Sequence, residues 1–257
     1  HPLWQKKILQ YYKNLFTDAN SNQTAQLFFA SHSEAVISEA LKDLDKTKKY
    51  IYILMNEKIN KFWDWFLANN ERLTMLSEYD SEEQTALLDE LQQELTAYCD
   101  GLTFDMGEQT KNGRRLTFSA EGDIELFRYV VELVENAPDI DWWEFIPFKQ
   151  PCGDDLKVHF GKYFFETKKM YFQHLENEEE PDIMGVRVAL KHEQTDDEDL
   201  LVGVYVTLEA MIGEFDCATL LGYLDVCPIP ENPTKENFYP LTDFPKFVER
   251  FKQEREK

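Results

Sequence analysis

Carboxylates are the residues through which this chain could most readily do chemistry. Aspartate and glutamate number 49 against 27 lysines and arginines, a formal net charge of −22 over 257 residues. Two of them fall where chain geometry favours a ligand. Glu121 follows a predicted strand and precedes a predicted helix, a place where ligand sites often lie. Glu214 stands in Gly213-Glu214-Phe215, at the boundary of two predicted elements. If the two meet in a cleft near Trp142 or Trp143, they offer paired negative charge beside an aromatic wall. That pair would hold a cation or a basic ligand, or serve an enzyme. The structural alternative is that Glu121 offsets a helix dipole and that Glu214 makes a local turn bond.

Other chemistry finds less support. His159, His174 and His192 show no HxxxH or HExxH spacing. A zinc site built from them with Cys217, Cys227 and acidic ligands has no motif behind it. No GxSxG elbow occurs. Cys152 lies beside Gly153 in a loop, with no neighbour in sequence to lower its pKa. The four cysteines (Cys99, Cys152, Cys217, Cys227) are far apart with no CxxC pair. They fit a reduced, cytoplasmic chain. No apolar run approaches 18 residues, so no membrane span is expected. The acidic balance argues against nucleic acid or an anionic membrane as a partner.

The elements that must position these residues follow from periodicity. Charge divides the chain first. Residues 1–54 hold seven lysines and five acids, whereas 55–257 hold 20 basic and 44 acidic residues. Two units are therefore expected, 1–54 and 55–257, meeting near Met55. In the first, Trp4, Ile8, Leu9 and Tyr12 predict a helix, Leu27-Phe28-Phe29-Ala30 a buried strand, Ser33 the start of a second helix, and Tyr50 to Leu54 a second strand. That order is a half layer of an α/β sheet.

In the second unit, Ile59, Phe62, Trp63, Phe66 and Leu67 form one aromatic helix face. Ser81-Glu82-Glu83-Gln84 is a capping-box pattern that opens a helix bearing Leu87, Leu88, Leu91 and Leu95. Strands flank the Asn112-Gly113 turn. A helix opens at Gly122-Asp123, and strands follow at 142–148, 158–166 and 169–174. Another strand runs from Val186 to Leu190, between two acidic loops. Residues 200–212 read as a helix capped by Asp196 or Asp197, although alternating Val202, Val204 and Val206 also suit a strand. A strand at 220–226 and a terminal helix from Thr242 or Asp243 complete the chain. No internal repeat stands out. The class expected is α+β, a mixed, mostly antiparallel sheet with packed helices, preceded by the partial α/β half layer.

His1-Pro2-Leu3-Trp4-Gln5, followed by the stretch from Gln26 to Leu41, resembles the C-terminal end of RecF-like ABC-type AAA ATPases, over about a fifth of the chain. The resemblance makes residues 1–54 a partial P-loop ATPase-like layer. It puts Ser31-His32-Ser33 on the switch whose histidine senses the γ-phosphate, so His32 would carry that role. Neither a GxxxxGK[ST] loop nor an apolar strand ending in Asp-Glu accompanies it. ATP with Mg²⁺ is therefore expected only in a longer parent chain, and no cofactor is expected for this one. Residues 55–257 resemble a family of uncharacterised bacterial proteins. The stretches that carry this resemblance begin at Phe62, Leu116 and Leu208. It makes Met55–Lys257 look like a complete protein, implies no catalytic residue, and leaves a fusion of the two units open.

Three functions are in view. The first is an acidic, non-catalytic interaction or regulatory module for a basic protein partner. The second is the C-terminal part of an ATPase. The third is an enzyme using Glu121 or Glu214.

Overall fold

The computed structural model describes residues 46–111, 113–176, 181–191 and 197–255, with the backbone alone for 46–56. The chain divides between Glu57 and Lys58. The two helices and the strand expected within residues 1–45, with the Ser31-His32-Ser33 switch, lie outside the described residues. The strand expected over Tyr50–Leu54 is corrected. Those residues belong to helix α1, Lys46–Thr74. A run of five apolar residues fits a buried strand or a helix segment equally well by pattern alone. Here the 3.6-residue period that begins after Met55 extends back through it.

Within Lys58–Lys257, α1 buries Ile59, Phe62, Trp63, Phe66 and Leu73. Leu67, expected on the same face, is exposed. At about 100° per residue it sits at the margin of the stripe. Helix α2, Ser81–Tyr98, buries Leu87, Leu91, Leu95 and Tyr98. Its cap is Asp80 rather than Ser81, since the Asp80 side chain accepts from the backbone N–H of Glu82 and Glu83. The longer reach of the carboxylate, and its charge at the positive end of the helix, favour it over the hydroxyl next door.

Two three-stranded modules follow, and they share a topology. In the first, β1 (Thr103–Met106) pairs antiparallel with β2 (Arg114–Ser119). The chain then crosses over through α3 (Phe127–Glu135) to β3 (Trp143–Pro147), which runs parallel to β2. In the second, β6 (Tyr171–Leu175) pairs antiparallel with β7 (Met184–Leu190). The chain crosses over through α4 (Glu198–Ile212) and α5 (Glu214–Leu220) to β8 (Leu221–Pro228), parallel to β7. Between the modules lies a hairpin, β4 (Lys157–Phe160) and β5 (Tyr163–Glu166). A two-residue strand, β9 (Tyr239–Pro240), adds to β6, and α6 (Phe244–Arg255) closes the chain.

The fold is therefore α+β with mostly antiparallel pairing. The helix reading of 200–212 holds, and Asp197 is its cap. The valine ambiguity there has a physical source: α4 carries apolar residues on its exposed side as well, Leu201 and Val202 among them, so it lacks a clean helical stripe. Two cores result. Phe62, Trp63, Phe66, Phe118 and Phe145 pack edge to face under the first module. Phe165, Phe172, Val186, Val188, Val204, Leu208 and Phe244 belong to the core of the second.

Candidate functional site

The carboxyl ends of β2 and β3 lie side by side because the two strands are parallel, with Phe118 opposite Pro147. Beyond β2 the chain turns through Glu121 and Gly122, both in the left-handed region at φ +50° and +81°. Beyond β3 it turns at Phe148, at φ +64°, whose N–H donates to Phe118 O at 2.8 Å. Left-handed non-glycine residues carry strain. What the strain secures here is a set of backbone N–H groups converging on one point, the arrangement that elsewhere holds a ligand anion.

The anion at that point belongs to the chain. Glu214 is fully buried. Its Oε1 accepts from the N–H of Ala120 at 2.9 Å and of Gly122 at 3.1 Å, and its Oε2 accepts from the N–H of Lys149 at 3.1 Å. Its own N–H donates to Lys149 O at 2.9 Å. Gly213 makes this insertion possible. It ends α4 and begins α5 at φ +86°, and a Cβ there would lie 3.0 Å from Pro151 Cδ and 3.1 Å from Lys149 O. Rings from three segments seal the junction, with Phe215 packed on Phe127 and Phe148.

Beside the nest is a chain of ion pairs. Lys149 Nζ donates to Glu121 Oε2 at 2.5 Å and lies 3.5 Å from Glu209 Oε2. Thr103 Oγ1 donates to the other oxygen of Glu121. Burial works against ionisation of Glu121, but the bonds from Lys149 and Thr103 carry its carboxyl below the ordinary value. Burial likewise disfavours the Lys149 ammonium, and Glu121 and Glu209 outweigh it, so the amine stays charged above its ordinary range. Glu209 goes the other way, because burial raises it and the lysine compensates only in part. Behind it, burial pushes the Cys217 thiol up to about 12, where it is hydrogen-bonded with Tyr205. A protonated lysine between carboxylates is no nucleophile, and a thiol held that high is inert.

The structure thus brings Glu121 and Glu214 together and leaves Trp142 elsewhere. Trp142 sits at the opposite end of β3, roughly 17 Å away at 3.3 Å per residue. The residue is 62% exposed, and its carbonyl accepts from the Arg114 N–H at 2.7 Å. The neighbouring Trp143 turns into the first core, where its Nε1 donates to Thr74 Oγ1 at 3.2 Å. Glu121 makes a salt bridge rather than facing a helix end alone. Glu214 makes long-range backbone bonds instead of a local turn bond. Among the described residues no three histidines, cysteines or acids are grouped to hold a metal ion. No described helix is long and apolar enough to cross a membrane. His32 lies outside the described residues.

Lys149, Glu209 and Tyr205 complete the site without any sequence motif to mark them. The one available signal was the spacing of Glu209 from Gly213-Glu214, four and five residues, which sets both acids at the end of one predicted helix. Comparison with protein-family models, with curated proteins and with solved structures finds no match to the chain.

Proposed function

We propose that this chain is a non-catalytic interaction module that engages a basic protein partner through its acidic body. One observation carries the reading: the N–H nest at the ends of β2 and β3, the natural place for a ligand anion, is filled by the Glu214 carboxylate. A group with both oxygens engaged in that way is a lock between the two modules. An enzymatic role for Glu214 would require it to leave one buried and two part-buried N–H groups, and the buried one alone costs about 1–3 kcal/mol when unsatisfied. Glu121 is held in turn by Lys149 and Thr103. The charge supplies a task for the remainder of the surface. With 44 acidic against 20 basic residues over 55–257, the field favours basic partners and speeds their encounter.

The test is to immobilise the full chain, pass a soluble extract of its source cells over it, and elute with rising salt. The expected result is a discrete basic protein, in near-stoichiometric amount, released as added salt shortens the Debye length from about 10 Å toward 3 Å. The partner, tagged and used as bait, should retrieve this chain. Retention of acidic proteins, or retention that salt does not weaken, contradicts the reading.

A further inference from the structure

Helix α6 places Lys246, Phe247, Arg250, Phe251 and Glu254 at three- and four-residue intervals, so they share one stripe, with Asp243 just before its first residue. That stripe faces β6. The His174 ring lies 5.1 Å from Phe247 and 5.7 Å from Phe251, and Phe172 lies 5.4 Å from Phe247. On its far side, among the described residues, β6 is paired only through Tyr171 and Phe172, because β9 has two residues. Past that point an open groove of about 1010 Å³ runs over these rings, between the α6 stripe and the Pro181–Ile183 side.

The charges along it are graded. Glu176 and Glu254 both line the groove. Asp182 forms a salt bridge with Arg255, whose Nε donates to it at 3.0 Å, so that pair adds no net charge. This is the carboxyl end of α6, where the helix dipole adds partial negative charge. The middle of the wall differs. Arg250 and Lys246 stand there, the latter 4.0 Å from Asp243. They would repel a uniformly basic chain. The groove therefore asks for positive charge at one end and an apolar body over the rings.

We infer that this groove is where the basic partner docks. It takes a protein segment in which a lysine or arginine, held by Glu176 and Glu254, adjoins a large apolar side chain that covers Phe247 and Phe251. The inference rests on the binding-module reading and names its surface.

The experiment measures fluorescence anisotropy of two labelled peptides on the full chain. One is Lys-Lys-Phe-Leu-Ser-Phe-Leu-Ser and the other Lys-Lys-Ser-Ser-Ser-Ser-Ser-Ser, of equal charge. The first should bind about tenfold more tightly or better. Glu176→Lys with Glu254→Lys should weaken it by about tenfold, and Phe251→Ser by about fivefold, as truncation of central contacts does. Asp105→Lys with Glu108→Lys makes the same charge change on exposed residues of the first module, and should weaken binding less than about twofold. Circular dichroism melts establish that each variant is folded, and the charge variants keep the test alive if Phe251→Ser is not. Equal losses from both charge pairs, or equal affinity for the two peptides, overturn the groove while leaving the basic-partner reading intact. Absence of binding by either peptide overturns both.

Discussion

Glu132 is the residue at which the ionisation chemistry of this fold can be read most directly. Burial lifts its carboxyl from the ordinary 4.5 to about 7, against the nearby Arg128 and with a small addition from Glu135. Among the described residues its Oε2 has no hydrogen-bond partner. A raised carboxyl means that the folded chain keeps a proton that the unfolded chain has lost. Stability on this account is full below about pH 4.5, falls as pH rises, and levels off above about 7. The total is about 3 kcal/mol at 1.36 kcal/mol per unit. Glu132→Gln should match the natural chain in urea unfolding at pH 4.5 and exceed it by about 2–3 kcal/mol at pH 8. A difference that does not change with pH would refute the assignment. Residue chemistry of this kind was only partly legible in the sequence. Glu121 and Glu214 stood out from their places at element boundaries. Lys149 and Glu209 did not, because what makes them part of the site is contact across 28 residues of chain between Lys149 and Glu121 and across 60 between Lys149 and Glu209, and no local pattern encodes that.

At the scale of elements, the joint between α4 and α5 decides whether the second module can reach the first. Gly213 and Gly153 both hold positive φ, at +86° and +121°, but only Gly213 has neighbours within 4 Å of the missing Cβ. Alanine at Gly153 should therefore cost only the backbone term, about 1 kcal/mol. Alanine at Gly213 should cost about 3 kcal/mol, since a backbone carbonyl and a proline ring must move as well. Equal losses in urea midpoint would show that the joint tolerates displacement. Most elements were legible from period and caps, including the Asp197 start of α4. The pattern failed where the sequence offers no alternation to read. Tyr50–Leu54 read as a strand because a short run apolar throughout has no phase. The shared topology of the two modules stayed hidden because one crossover uses a single helix and the other uses two, so no fixed repeat length survives.

For the molecule as a whole, the account divides labour between an internal lock and an external field. The lock consumes the polar groups that look most like a site, and the field comes from acids whose surplus has no internal partner to neutralise it. The two predict opposite sensitivities. Salt should weaken partner binding steeply while changing stability little, because buried contacts are screened far less than exposed charge. A chain whose melting temperature falls with salt in parallel with its binding would not be built this way.

The most direct measurement pairs two readouts on one variant, Glu214→Gln. The amide keeps the shape but turns a donor toward one of the three N–H groups. The account predicts a melting temperature lower by on the order of 10 °C, with affinity for the basic partner or the Lys-Phe-Leu peptide within about twofold of the natural chain at temperatures where both are folded. An unchanged melting temperature together with lost binding, or with loss of any activity of the chain, would make Glu214 a working functional group and contradict the account.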